Sequence, residues 1–307
     1  MITTTIRRTE YSGKQKLVDE QHRRGSTYWT EIYQQKDLYA FLIQLRHIVT
    51  LNYVDELSLP KATHALEIGC GAGFMAVALA ERGFTVDAVD SVPAMIRLTQ
   101  RHAKQAGKDN KIHSIIGDAH ELAFQNQSFD LIVALGVTAW LPNLRKALVE
   151  IARLLVPGGY VILSVDNRYR LNYLLDPLMT PAFATIRKGV KYGLERAGLY
   201  NPWKQVEHHL YSIEEFNTYL REVNLRNIKN TNIGFGPFML FGHNIFPDQV
   251  GVKIYQKLQQ YSDSGFPVLR STGSQYVVLA RKKCRTNFTE RKGIEYALHI
   301  KERERIA

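Results

Sequence analysis

The sequence predicts an α/β fold built on a mainly parallel, doubly wound sheet. Three observations carry that reading. Between His64 and Asp166 five short apolar runs, HALEI, TVDAVD, IHSII, FDLIVAL and YVILSV, are separated by helical stretches at 74–82, 92–106 and 143–155. The last two runs show little polar alternation, as expected of strands buried on both faces and joined by helices. Three glycines at alternate positions, Gly69, Gly71 and Gly73, join the first run to the first helix, where the backbone must turn sharply.

The 307 residues leave room for a complete core and an additional subdomain. Residues 1–60 read as an N-terminal helical cap region. KQKLVDEQHRRGSTYWTEIYQQ is polar with scattered aromatics, and DLYAFLIQLRHIVTLNYVDELSL repeats apolar residues three and four apart until LSLPKA ends it. Residues 61–166 form the core, with VPGG stopping its third helix. The stretch 167–206 breaks the strand–helix rhythm: it is apolar, aromatic and basic, with Pro177 and Pro181, and reads as a helical cap insertion. The rhythm resumes over 207–283 with the helix SIEEFNTYLREVNL and the strands IKNTNIG and QYVVLARKK. A second insertion at 235–274, with one helix around VGVKIYQKLQQYSD, interrupts it. Both insertions are expected to form a substrate cap. Residues 284–307 form a basic C-terminal tail, read as a solvated helix.

The net charge of +11 raises nucleic acid as a partner, but its distribution argues otherwise. Residues 61–165 hold ten Lys/Arg against nine Asp/Glu, so the segment with the motifs is nearly neutral. The excess lies in 166–280, with thirteen against nine, and in 281–307, with nine against four. Cys70 and Cys284 are too few and too far apart for a disulfide scaffold or a thiolate metal cluster, and Cys70 reads as a small side chain in a crowded turn. The start lacks the apolar centre of a secretory signal and no long apolar run follows, so the expected location is cytoplasmic.

Nineteen residues past Gly71, the second run ends at Asp90, whose carboxylate can accept both hydroxyls of a ribose. The glycine spacing is G-x-G-x-G, whereas a dinucleotide fingerprint is G-x-G-x-x-G. Glu67 stands two residues ahead of the turn. A buried acid there repels a pyrophosphate, which seeks positive potential at a helix start, and suits a cationic or ammonium-bearing ligand.

With these residues in place the sequence resembles the class I S-adenosylmethionine-dependent methyltransferases. Within them it is similar to the small-molecule ("type 11") branch that includes the ubiquinone and menaquinone biosynthesis methyltransferases. Glu67, Gly69, Gly71 and Gly73 match the family's first motif, and Asp90 its ribose acid. Asp118 in GDAHEL matches its third, which implies that Asp118 faces the adenine amino group and Ala119 the ring. FDLIVALGV and LLVPGGYVILSV match the fourth strand and the turn before the fifth. The resemblance implies a Rossmann-like seven-stranded sheet, S-adenosyl-L-methionine as cofactor, and contacts from Cys70, Ser91, Leu135 and Gly136 as well. Gly136 to Trp140 should border the transfer cleft.

Methyl transfer from a sulfonium is a direct displacement that needs alignment and, for a hydroxyl acceptor, a base. The expected base is His208 or His209, in KQVEHHLYSIEEF, where the family's quinone-related members carry a histidine ahead of a similar aromatic-then-helix pattern. Trp140, Tyr169, Tyr173, Tyr211, Phe238, His243 and Arg168 are expected to line the acceptor pocket, with Arg168 and Arg170 able to attract an anionic group. No spacing suggests a metal. The reading is a methyltransferase acting on a small or medium-sized organic acceptor, O-directed, with C- or N-methylation as the alternative. An RNA or protein target is disfavoured because GVTAWLPN stands where an N-P-P-[YF] signature would. Peripheral membrane contact through the apolar, basic stretch 171–200 stays open, as does the choice between monomer and homodimer.

Overall fold

The computed structural model describes residues 37–196, 208–241 and 243–284. The expectations for the first thirty-six residues and for most of the basic tail lie outside them. Helix α1, Leu38–Glu56, starts where the Asp37 carboxylate accepts the Ala40 N–H at 2.8 Å, which satisfies one orphan donor of its first turn.

The core alternates β1 (His64–Ile68), α2 (Phe74–Glu81), β2 (Thr85–Asp90), α3 (Pro93–Gln105), β3 (Ile112–Ile116), β4 (Phe129–Ala134), α4 (Leu144–Leu154) and β5 (Leu155–Asp166). The first insertion holds the short helix α5 (Leu171–Leu175), a 3-10 turn and α6 (Ala184–Arg196). The chain then makes α7 (Ile213–Glu222), β6 (Leu225–Ile233), the hairpin β7 (Met239–Leu240) and β8 (His243–Asn244), α8 (Asp248–Asp263), α9 (Leu269–Thr272) and β9 (Gln275–Lys282).

Seven strands form one sheet in the order β3-β2-β1-β4-β5-β9-β6, with β9 antiparallel to both neighbours and the first five parallel. The winding direction reverses between β1 and β4, so a crevice opens at their carboxyl ends. Successive residues serve opposite layers: Ile132, Val161 and Leu163 pack with Phe216 and Tyr276 on one face, and Leu131, Val133 and Ile162 pack with Leu79, Tyr53 and Val54 on the other. Each such side chain contributes about 1.5–3 kcal/mol on burial, which explains the unbroken apolar runs. A third cluster of Leu38, Phe235, Tyr255 and Leu269 ties α1 to the second insertion.

Two boundaries differ from expectation. VPGG is not a free turn: β5 already begins at Leu155 and runs through it, with Gly158 at φ 80° and a register shift against β4 between Phe129 and Leu131. Helix α7 stops at Glu222, because Asn224 takes a left-handed φ of 61° and β6 starts at Leu225, three residues earlier than expected.

The turn between β1 and α2 is held from α3. A Cβ on Gly73, at φ 82°, would meet the Thr99 Cα at 2.9 Å, whereas one on Gly71, at φ 54°, meets nothing within 4 Å. Gly73→Ala should therefore destabilise the protein by about 1–3 kcal/mol through overpacking and backbone strain, and Gly71→Ala by less. Urea unfolding midpoints of the two variants check the ranking.

Candidate functional site

The glycine turn is fastened to the end of β2. Gly69 N–H and Cys70 N–H both donate to the Val89 carbonyl, at 2.8 and 3.0 Å, and Gly71 N–H donates to Asp90 Oδ2 at 2.9 Å. The other Asp90 oxygen accepts the Val92 N–H at 2.9 Å. From α3, Thr99 Oγ1 donates to the Gly71 carbonyl at 3.0 Å, and the His102 ring lies 2.7 Å from the Ala72 carbonyl. The Cys70 sulfur sits 3.4 Å from Thr99 Oγ1. Burial pushes its thiol well up, with Glu67 and Asp90 adding to the effect, so it stays protonated.

Glu67 is buried beneath this turn, and its Oε2 has no hydrogen-bond partner among the described residues. Burial pushes its pKa up to about 8; an Ala76 backbone hydrogen bond opposes the rise and the Asp90 charge adds to it. An orphaned acid at the floor of a cleft is a site for a cation. The open space above Gly71 is the other half of that fit, since the backbone there admits a ligand where any side chain would intrude.

The cleft above these groups encloses about 1400 Å³ out to its open mouth. Its walls include Glu67, Gly69, Cys70 and Gly71 from the turn, Asp90 and Ser91 after β2, Asp118 and Ala119 after β3, and Leu135, Gly136 and Trp140 after β4. The Asp118 carboxylate accepts the His120 N–H at 2.9 Å and pairs with the buried His120 ring. Gly73 stands behind the turn and is not part of the wall.

The far wall comes from residues without a sequence motif. Tyr39, Arg46 and His47 face the cleft from α1, and Asp166 and Gln275 from β5 and β9. Burial, helped by Arg46 and Arg82, lowers the His47 pKa to about 4, so this imidazole is neutral at physiological pH. Gln275 bridges two charges: its Nε2 donates to Asp166 Oδ1 at 3.0 Å, and its Oε1 accepts from Arg46 Nη1 at 3.4 Å. Arg46 also lies against Gly136, where a Cβ would meet Nη1 at 2.5 Å. The other Asp166 oxygen lies 3.5 Å from His208 Nδ1, and the His208 ring stands edge-on to Trp140 with centroids 4.5 Å apart. Burial lowers the His208 pKa; Asp166 raises it, and Arg170 and His209 lower it further.

Several residues expected at the acceptor pocket lie outside this cleft. His209 uses its backbone N–H on the Ala139 carbonyl at 2.9 Å. Tyr211 packs against the core and bridges Asn167, and burial pushes its phenol up to about 12. The Arg168 guanidinium is spent on the Leu210 carbonyl and on Glu215. Tyr173 lies under the Arg170 guanidinium at 4.4 Å, Tyr169 and His243 are exposed, and Phe238 packs on Phe246 in the hairpin region. Glu207 lies outside the described residues. Among the described residues, no group of three or more His, Cys, Asp and Glu could hold a metal ion.

A doubly wound sheet with an acid-flanked glycine turn, a carboxylate closing β2 and a second acid after β3 defines a class of adenosyl-cofactor-binding domains. Residues 66–163 match the profile of the Methyltransferase domain family. Over this segment the chain is similar to the class I S-adenosylmethionine-dependent methyltransferases, whose cofactor is S-adenosyl-L-methionine. It is 30% identical over 132 residues to a ubiquinone biosynthesis O-methyltransferase of Coxiella burnetii, covering 43% of this chain and 56% of that one. It is also 30% identical over 125 residues to the same enzyme of Pseudomonas entomophila, covering 41% and 53%. The chain thus spans a little over half the length of these curated relatives. The fold is shared with a provisionally assigned sarcosine dimethylglycine methyltransferase from Galdieria sulphuraria, with TM-score 0.54 at 15% identity over 85% of this chain and 98% of that one. It is shared too with the [4+2]-cyclase SpnF, with TM-score 0.52 at 14% identity over 78% and 81%. A cyclase on the same fold means that the reaction must be argued from the site.

With its carboxyl raised to about 8, Glu67 should make the binding of a cationic cofactor pH-dependent. A cation beside it favours the ionised form and lowers its pKa, so binding releases a proton at any pH between the bound and free values. Affinity for S-adenosylmethionine should rise with pH towards 8, by up to about tenfold per pH unit. Calorimetry at pH 6–7 in buffers of different ionisation enthalpy should detect the proton, and Glu67→Gln should abolish the release.

Proposed function

We propose that the protein transfers the methyl group of S-adenosyl-L-methionine to a hydroxyl of a small or medium-sized organic acceptor held in this cleft. When bound, the cofactor supplies an activated methyl group on a sulfonium. The residues of the chain then have three tasks: to bind the donor, to orient the acceptor oxygen and to take its proton.

For the donor, Asp90 is the ribose acceptor, Asp118 and Ala119 flank the adenine, and Glu67 and the Gly69–Gly71 backbone lie along the amino-acid end. For the acceptor, Trp140, Tyr39 and Ile43 give an apolar wall on which a ring can lie.

The observation that carries the reading is the pair of His208 and Asp166 at the cleft wall. The carboxylate faces Nδ1 and favours the tautomer with the proton there. Nε2 is then the free acceptor, and its lone pair can take the proton of a hydroxyl as the oxygen attacks. Because burial lowers the His208 pKa, the imidazole is already in its basic form at neutral pH. Gln275 holds Asp166 from behind, which keeps the carboxylate aimed at the ring. The ubiquinone biosynthesis O-methyltransferases among the relatives support the choice of oxygen.

With a catechol or hydroquinone acceptor, the wild-type protein should yield a singly methylated product by mass spectrometry. His208→Gln should lower kcat by about 10²–10⁴-fold while leaving the Kd for S-adenosylmethionine within about twofold, because His208 contacts the acceptor side. The acidic limb of the kcat/KM profile should fall below the ordinary histidine range, in line with the direction of the His208 shift. Retention of wild-type kcat by His208→Gln would remove the base assignment.

A further inference from the structure

The cap exposes apolar side chains that neither the fold nor the cleft uses. Helix α6 has no buried side chain among its described residues. Ile186 and Val190, four apart and so on one face, are 64% and 57% exposed, and Tyr192, on a different side of the helix, is 64% exposed. The second insertion adds Leu240 and Phe241 at the tip of the β7–β8 hairpin, where Phe241 is 59% exposed at a left-handed φ of 51°. The two insertions meet: α5 packs against β7, and Asn172 Nδ2 donates to the Pro237 carbonyl at 3.2 Å.

Basic residues outnumber acids beside this apolar surface. The sequence of α6 carries Arg187, Lys188, Lys191 and Arg196 against the single acid Glu195, and from 235 to 247 the chain carries no Asp, Glu, Lys or Arg. Arg187 is tied to the Thr180 carbonyl at 2.6 Å, which fixes a positive charge against the helix. Among the described residues no helix is long and apolar enough to cross a membrane. A short helix with an apolar face beside basic residues is the physical form of an element that lies in the plane of a bilayer surface.

We propose that α6, with the β7–β8 tip, seats the protein on an anionic lipid surface. Apolar side chains sink into the headgroup boundary and basic groups such as Arg187 and Lys188 meet the lipid phosphates. Each basic residue near such a surface strengthens binding by about fivefold. The chain passes from the cleft wall at Asp166 straight into the insertion that carries α6, so the surface and the site are joined by one stretch of chain. The proposal stands independently of the reaction.

The test is co-sedimentation of the full chain with phosphatidylcholine vesicles, with and without phosphatidylglycerol. The wild-type protein should pellet with the phosphatidylglycerol-containing vesicles, bind phosphatidylcholine alone far more weakly, and be partly released by salt. The double variant Ile186→Glu/Val190→Glu, at positions too exposed to support the fold, should keep the wild-type melting temperature and lose at least about tenfold in vesicle affinity. Absence of wild-type binding, or a double variant that binds equally well, overturns the proposal. So does a wild-type dimer by light scattering that the double variant splits into monomers without any vesicle binding, since the covering partner is then a second copy of the chain.

Discussion

The hydrogen bond from Gly71 N–H to the Asp90 carboxylate is the constraint on which the site depends. It joins the turn after β1 to the end of β2, and both must be in register before either can meet a ligand. Three left-handed glycines permit the turn, and the Val89 carbonyl and Thr99 hydroxyl hold it from two other sides. Glu67 is thereby kept under the turn, out of water, with an oxygen that no group among the described residues satisfies. The site thus contains an unfavourable buried acid whose natural complement is a positive ligand, and the packing of β1 between β2 and β4 prevents it from relaxing.

The acceptor side rests on a different principle. Its wall is assembled from α1, β5 and β9, elements distant in the chain, through the run Arg46, Gln275, Asp166 and His208. The antiparallel insertion of β9 between β5 and β6 is what brings Gln275 behind Asp166. The α1 helix performs two jobs with one length of chain: Leu42, Tyr53 and Val54 pack on the sheet, and Leu38 packs on the second insertion. Cap and core are therefore coupled through the helix that also presents Arg46 and His47 to the cleft.

The part of this arrangement that depends on local chemistry was legible in the sequence. Apolar runs announced the buried parallel strands, and Glu67, the glycines, Asp90 and Asp118 are spaced within short stretches whose backbone demands are strict. The acceptor wall was not legible, because its residues meet only in three dimensions. Arg46 and His47 sit in an ordinary helical pattern, and Gln275 is the first residue of a strand otherwise read for its apolar content. Conversely, Tyr211 and Arg168 had the chemistry of pocket residues, but the tight return of the chain after Leu210 claims both for its own support. VPGG read as a stop because proline and glycine commonly break structure; here the start of β5, an inner strand, accommodates them at a register shift against β4.

A donor pocket formed by the glycine turn and Asp90 has a direct consequence for binding. Titration of the full chain with S-adenosylmethionine, comparing wild type with Asp90→Ala, tests it most directly. The wild type should show saturable binding at one site per chain, and the variant a loss of at least about tenfold from the missing ribose hydrogen bonds and the loosened turn. Equal affinity in the two proteins, with both correctly folded, would contradict it.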